Sequence, residues 1–308
     1  MDSLVALRSA VRAVLDKFSA GDVVLVAVSG GADSLALAEA AKLECEKLTI
    51  KLIGITVDHQ LQDGSSNQAE KVVSQLSFPC IIEKVNVHIT DGIEASARRA
   101  RYEALERCAK EKNAVAVLLG HTKDDQAETV LLGLARGSGA RSLSGMSDAN
   151  GIYLRPFLGI TRVQTLAACN ELGLTPWQDP HNDDVNFLRV RVRKNVLPLM
   201  EQELGPGIRD ALTRSAALLR DDADALDAMA VEFWAKDKSL EIALLASLPK
   251  AVRTRVLRLA LFESGITQLS AEQVGQVEAL ISNWKGQGEV SLPAGVKVSR
   301  ISGRLTLS

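Results

Sequence analysis

Cysteine is sparse and unpaired in this chain. Its 308 residues hold four: Cys45, Cys80, Cys108 and Cys169. None stands in a Cys-x-x-Cys pair, which argues against a zinc ribbon or a dithiol redox motif. Each lies in apolar or helical sequence and reads as a small core residue. Long hydrophobic runs are missing too. No apolar stretch reaches the length of a membrane span, so no membrane association is expected. The start, Met1-Asp2-Ser3-Leu4, lacks a basic segment followed by an apolar core, and no signal peptide is expected. Charge of one sign is not in excess, the formal net charge being −2. That leaves nucleic acid open, because a local basic face can sit on a neutral protein. What is plentiful is core material. Hydrophobic residues make up 46% of the chain, enough for one large or two ordinary domains. Together these traits predict a cytoplasmic protein.

Hydrophobic patterning alternates between strand and helix. β-branched runs at Val23–Val28, Ile50–Val57, Cys80–Val87 and Val115–Leu119 read as buried strands. Helical spacing covers Leu4–Phe18, Leu35–Leu48, Ser66–Leu76 (opened by a cap), Glu94–Lys112 and Lys123–Ala135. Such alternation predicts an α/β fold with a parallel sheet covered on both faces. Ligands then bind beyond the carboxyl ends of the strands. Three loops share that rim: Ser29–Ser34, Asp58-His59 and Gly120–Asp125. After Leu204 the pattern changes. Pro206-Gly207 breaks the chain, and helices follow over Ile208–Lys236, Lys250–Glu263 and Ala271–Trp284. Short strands close it. The boundaries expected are 1–205 for the α/β domain and 206–308 for a smaller, mainly helical second domain. The acidic cluster Asp221, Asp222, Asp224 and Asp227 reads as a solvated face.

The first loop is Ser29-Gly30-Gly31-Ala32-Asp33-Ser34. A strand, a glycine-rich turn and a helix start make an anion site. Free backbone N–H groups and the positive helix end point into the turn. It is neither a Walker A loop nor a dinucleotide fingerprint, because Lys-Ser/Thr and Gly-x-Gly-x-x-Gly are both absent. The second constellation is Gly120-His121-Thr122-Lys123-Asp124-Asp125-Gln126-Ala127-Glu128-Thr129. Asp125 and Glu128 lie three apart, on one helical face. Carboxylates there could hold Mg²⁺ on ATP phosphates or bind an ammonium group. Asp124 and Asp125 also suit a helix start for structural reasons alone.

The first loop resembles the PP-loop of the ATP pyrophosphatases, which split ATP between the α- and β-phosphates and adenylate a substrate. The second run, continued to Leu134-Ala135-Arg136-Gly137-Ser138-Gly139, resembles the signature of the tRNA(Ile)-lysidine synthetases. Glu94-x-x-x-Arg98-x-x-Arg101-Tyr102, Arg155-Pro156-Phe157-Leu158, Asp179-Pro180-x-Asn182 and Phe187-Leu188-Arg189-x-Arg191-x-Arg193 follow in that family's order. Thr122 and Val190 depart from it, where members often have His and Asn. The resemblance implies a parallel-sheet PP-loop domain (adenine nucleotide α-hydrolase-like) and a small helical domain. It implies ligation of L-lysine to C2 of the cytidine at the first anticodon position of a CAU-anticodon isoleucine tRNA. ATP adenylates the tRNA and pyrophosphate leaves; lysine then displaces AMP. Ser29, Gly30, Gly31, Ala32, Asp33, Ser34 and Asp58 are the expected ATP contacts. Asp33 and Asp124 are the expected Mg²⁺ ligands. Asp125, Glu128, Arg101, Arg193 and His121 are the expected catalytic groups.

The remaining basic residues, Arg98, Arg99, Arg189, Arg191 and Lys194, read as tRNA backbone contacts. His59 is a weak site candidate; His88 and His181 read as surface or loop residues. Trp177, Trp234 and Trp284 read as core. Two other functions compete. A PP-loop tRNA thiolase would need cysteines at the rim, and none stands in or next to a proposed loop. A non-catalytic nucleotide- or tRNA-binding module would tolerate damage to the motifs, which are intact. The oligomeric state stays open, a homodimer included.

Overall fold

The computed structural model describes residues 2–60, 64–90, 92–137, 139–179, 182–266 and 269–308. The chain divides into two compact units, Met1–Arg136 with Gly145–Arg214, and Gly137–Ser144 with Ser215–Ser308.

The first unit is built on a sheet. Its helices and strands run α1 (Asp2–Leu15), β1 (Val23–Ala27), α2 (Ala32–Leu48), β2 (Lys51–Asp58), α3 (Ser65–Ser74), β3 (Cys80–Lys84), α4 (Ile93–Glu111), β4 (Ala114–Leu118) and α5 (Lys123–Ala135). The short α6 (Ala140–Leu143) belongs to the other unit. Then come β5 (Ala149–Asn150), β6 (Tyr153–Leu154), α7 (Arg162–Glu171), α8 (Leu188–Arg191) and α9 (Leu197–Glu203). The strand order is β3-β2-β1-β4-β6-β5. All pairs are parallel except β5 with β6. The expected parallel α/β domain is present.

Side-chain alternation on β1 explains why it sits at the centre. Val24 and Val26 pack into a core with Leu7 and Val11 of α1 and Leu37 of α2. Leu25 and Ala27 face the other way, onto Leu105 and Cys108 of α4. A strand buried on both faces needs an unbroken apolar run, and Val23–Ala27 supplies one. β1 pairs with β2 on one side and β4 on the other. The loops after β1, β2 and β4 therefore share one rim.

Several element ends differ from the expectation. α2 begins at Ala32, so Asp33 and Ser34 lie in its first helical turn. α3 has Gly64 as its N-cap, with no side-chain cap bond, and the Ser66 hydroxyl donates to Asp58 Oδ2 at 2.7 Å. α7 follows a Thr161–Gln164 capping box that hydrophobic patterning alone did not reveal.

In the second unit, α10 (Ile208–Lys236, whose first residues lie in the first unit) is followed by α11 (Ile242–Ser247), α12 (Lys250–Glu263) and α13 (Ala271–Ser282). A three-stranded antiparallel sheet closes the unit, β7 (Val290–Ser291), β8 (Lys297–Ile301) and β9 (Arg304–Leu307). Trp234, Leu245, Val256, Leu257, Leu280, Val298 and Leu305 form its core. The acidic cluster on α10 is not simply solvated. Asp224 and Asp227 receive the two arms of Arg141, and Asp227 also pairs with Arg255 at 2.5 Å. Asp221 and Asp222 are exposed, as expected.

Candidate active site

The two glycines of the first loop are there for different reasons. Gly30 has φ +88°, and a Cβ on it would stand 2.5 Å from Val72 Cγ2. Only glycine fits that turn. Gly31 has φ −71° and serves as N-cap of α2. Ser34 ties the turn down: its Oγ accepts from Ser29 N–H at 3.1 Å and donates to the Gly31 carbonyl at 2.9 Å. Trp177 N–H donates to the Gly30 carbonyl at 2.8 Å. Among the described residues, the N–H groups of Gly30, Gly31, Ala32 and Asp33 make no hydrogen bond. Such a set at a helix N-terminus is what a phosphate seeks.

Beside this loop lies a cavity of about 480 Å³ at the carboxyl ends of β1 and β2. Ser29, Asp58, His59, Arg101 and Trp177 all line it. Trp177 is thus a cavity wall, not a core residue as expected from sequence. Asp58 is pre-set as an acceptor. Burial alone would raise its carboxyl, but hydrogen bonds from Ser66, Ser65 and Gln60 N–H bring it below its ordinary value. His59 Nδ1 is buried with no partner among the described residues. Burial, aided by Arg101, lowers the His59 imidazole and keeps it neutral. Burial also lowers Arg101, which has no carboxylate partner among the described residues.

The second constellation opens α5. Asp125 completes a capping box with Thr122: its Oδ2 accepts from Thr122 N–H at 2.8 Å and Thr122 Oγ1 at 2.9 Å. The other oxygen, Oδ1, faces Arg162 Nη2 at 3.1 Å. Burial would raise the Asp125 carboxyl, but Arg162 and Thr122 outweigh it and leave it lowered. Glu128, fully buried, is gripped by Arg193, whose Nε stands 2.6 Å from Oε1 and Nη2 3.1 Å from Oε2. Arg193 Nη2 also lies 3.7 Å from Asp125. Asp125 and Glu128 do share a face. Burial lowers His121 to about 4, so its imidazole is neutral near pH 7.

Arg162 carries no motif signal, and it joins the two constellations. Its Nε lies 3.2 Å from Asp33 Oδ2, its Nη2 3.1 Å from Asp125 and its Nη1 3.7 Å from Glu128. Thr165, one turn on, donates to Asp33 Oδ1. Burial raises the Asp33 carboxyl despite both contacts. Asp124 is turned elsewhere. Its Oδ2 accepts from the Arg162 backbone N–H at 2.8 Å, and its Oδ1 lies 3.3 Å from Arg209 Nε.

The basic run splits into inward and outward groups. Arg189, expected to face tRNA, turns inward; its Nη2 donates to Thr129 Oγ1 at 3.0 Å, and its Nε lies 3.7 Å from Glu128. A single π-helical stretch, Val192–Val196, follows it and carries Arg193. Val192 and Leu197 anchor that stretch against Ala127 and Leu132 of α5. Arg98 and Arg191 are exposed, and Lys194 pairs with Asp183. His88 is exposed, whereas His181 lies outside the described residues. Trp234 is core, and Trp284 stands on the surface with Arg300 over its ring at 5.3 Å.

One cysteine does touch a proposed loop, contrary to expectation. Cys169 Sγ lies 3.3 Å from the Ala32 carbonyl. It is fully buried, and burial raises its thiol to about 11. A thiol held protonated and shut off from solvent is inert. Cys45 and Cys108 are likewise buried, pushed up to about 12 and about 11.

A phosphate-cradling turn at the rim of a parallel sheet, with paired carboxylates and arginines alongside, defines a PP-loop nucleotide domain. The family model of the PP-loop domain matches residues 5–200, and that of the TilS substrate binding domain matches residues 240–306. A tRNA(Ile)-lysidine synthase of Thermobifida fusca is 48% identical over 98% of this chain and 96% of its own length. One of Streptomyces coelicolor is 50% identical over 92% of this chain and 84% of its own length. The chain belongs to the tRNA(Ile)-lysidine synthase family. The fold alone is shared with the U34-tRNA thiolase NcsA from Methanococcus maripaludis, at TM-score 0.59 and 19% identity over 71% of this chain and 80% of that one.

Proposed function

We propose that this protein joins L-lysine to C2 of the cytidine at the first anticodon position of a CAU-anticodon isoleucine tRNA, using ATP, in the cytoplasm. One observation carries the reading: Arg162 spans the loop carboxylate Asp33 and the α5 carboxylate Asp125, so a phosphate site and an amine site adjoin. In the first step the C2 carbonyl oxygen attacks the α-phosphorus and pyrophosphate leaves. In the second, the lysine amine attacks C2, a proton is lost and AMP leaves.

The chain's own groups divide these tasks. N–H groups of Gly30, Gly31, Ala32 and Asp33 bind phosphate, and Ser29 and Ser34 hold the turn. Asp58 and the cavity beside Trp177 take the nucleoside. Arg101, free of carboxylates among the described residues, meets developing charge on phosphate. Asp125 and Glu128 receive the amine, and Arg193 fixes Glu128. His121, neutral at the rim, is a hydrogen-bonding group there.

No group of three or more His, Cys, Asp or Glu converges as a metal site among the described residues. Mg²⁺ needs only one or two carboxylates plus substrate phosphates. Asp33 stands on the loop itself, but Thr165 and Arg162 hold its two oxygens, so it would take the ion only by exchanging Arg162 for it. Asp124 fits it less well, since both its oxygens face Arg162 N–H and Arg209. Bound there, Mg²⁺ would neutralise charge on the departing pyrophosphate.

Mass spectrometry of nucleosides from CAU-anticodon tRNA incubated with protein, ATP and lysine tests the reading. Lysidine is expected, and it should vanish without either small molecule. Unmodified cytidine from fully folded protein would overturn it; thiolated nucleoside would install the thiolase reading instead.

A further inference from the structure

Three residues of α7 face the first loop at helical spacing: Arg162, Thr165 and Cys169. Such positions lie on one side of a helix. Arg162 bonds Asp33 Oδ2, Thr165 bonds Asp33 Oδ1 and Cys169 meets the Ala32 carbonyl. The helix start is held firmly, by the Thr161–Gln164 capping box and by Asp124 on the Arg162 N–H. From that fixed base the Arg162 guanidinium reaches Asp33, Asp125 and Glu128, from two different helices. Arg193 and Arg189 serve Glu128, and neither has an ion pair with Asp33 among the described residues. With Arg162 gone, Asp125 would keep Arg193 Nη2 at 3.7 Å, but Asp33 would be left with no cation among the described residues.

We propose that Arg162 is a positioning residue that ties the phosphate loop to the amine-binding carboxylates and so aligns the lysine amine with the adenylated base. The role rests on the function proposed above and deepens it. During adenylation, a cation carried in on the ATP phosphates can neutralise Asp33 in place of Arg162. That step tolerates loss of the arginine. After pyrophosphate leaves, Arg162 is the one side chain among the described residues that ion-pairs with both Asp33 and Asp125. Small misplacements of a nucleophile are costly, on the order of 10²-fold per ångström.

The test is single-turnover reaction of the full chain with labelled ATP, CAU-anticodon tRNA and lysine, following adenylated tRNA and lysidine separately. Arg162→Ala is expected to adenylate at close to the wild-type rate, yet to transfer lysine roughly 10²-fold more slowly. Adenylated tRNA then accumulates. Added guanidinium at tens of millimolar should restore transfer in part by filling the vacated fork, well short of the tethered side chain's effect; equimolar potassium chloride should not. Arg162→Lys keeps the charge, loses the fork, and should show the same bias more weakly; it reads the ratio if the alanine variant does not fold. Equal slowing of both steps, or a folded variant that guanidinium fails to rescue, overturns the proposal. Wild-type protein making no lysidine would instead overturn the function itself.

Discussion

Arg193 grips Glu128 with two nitrogens, Nε at 2.6 Å from one oxygen and Nη2 at 3.1 Å from the other. A forked, charge-assisted pair of this kind fixes direction as well as charge. Glu128 has no solvent exposure, so this guanidinium is its main counter-charge.

Arg193→Ala should therefore lower lysidine formation at saturating tRNA by about 10²–10³-fold, the range for loss of a preorganised charged donor. The salt slope of tRNA affinity should stay as in the wild type, since a backbone contact would change it. Single-turnover rates and a salt titration separate the two. Normal turnover at saturating tRNA would move Arg193 to the tRNA-binding face.

Gly30 and Gly31 should respond differently to alanine. At Gly30 the added Cβ meets Val72 Cγ2 at 2.5 Å, with φ at +88°. At Gly31 the nearest neighbour is Ser29 Oγ at 3.9 Å. Gly30→Ala is expected to lower the thermal midpoint clearly, by strain of order 1–3 kcal/mol. Gly31→Ala should leave that midpoint within a degree or so while still weakening ATP binding, because its Cβ crowds the phosphate. Calorimetric unfolding and nucleotide titration check both.

His121 gives the site an acid-sensitive component. Its folded value is about 4 against 6.5 for a free imidazole. A lowered value means the unfolded chain takes up the proton first as pH falls. Stability from the neutral ring is thus complete above about pH 6.5 and drains away towards pH 4, by roughly 1–3 kcal/mol. Asp33, raised by burial, works in the opposite sense. The reading is therefore a difference: His121→Gln should flatten the pH dependence of the urea midpoint between pH 7 and 4.5. Parallel wild-type and variant curves would show that His121 protonates freely.

A chain with all four cysteines replaced by Ala or Ser should keep its activity. Three of the thiols are buried packing groups, and Cys80 bonds only Thr56 and the Ile81 carbonyl among the described residues. The cost should be confined to stability, largest at Cys169 beside Ala32. Circular dichroism and nucleoside analysis decide it. A folded variant without any activity would put a thiol into the chemistry.

Helices α5, α10 and α12 match the patterned segments read from sequence, because each has clear start and stop residues and enough turns for periodicity to show. Asp125 and Glu128 were legible for the same reason: three residues apart on a helix is a local relation. Arg162 was not. Its partners lie 129 and 37 residues away, and nothing at Arg162 itself distinguishes it from any helix-opening arginine. The Thr161-x-x-Gln164 box would have revealed the helix start, though not what the arginine reaches. Trp177 sits in irregular sequence, and only the folded loop shows that its backbone meets Gly30. Arg189 misled because a run of alternating arginines looks outward-facing, although four-residue spacing puts it on one helical face with Arg193.

Gly120 brings the two loops into contact through their backbones. A Cβ there would lie 3.2 Å from the Asp33 carbonyl carbon and oxygen and from Ser34 Cα. Two stretches of chain so closely seated share one mechanical fate. Whatever draws the phosphate turn inward must carry the start of α5 with it, along with the carboxylates it bears. On the function proposed above, arrival of the nucleotide would be felt where the amine docks through this backbone seating as well as through Arg162. Lengthening the chain between residues 34 and 120 alters only the route by which these loops meet; widening residue 120 by one methyl group would pry apart the place where they do.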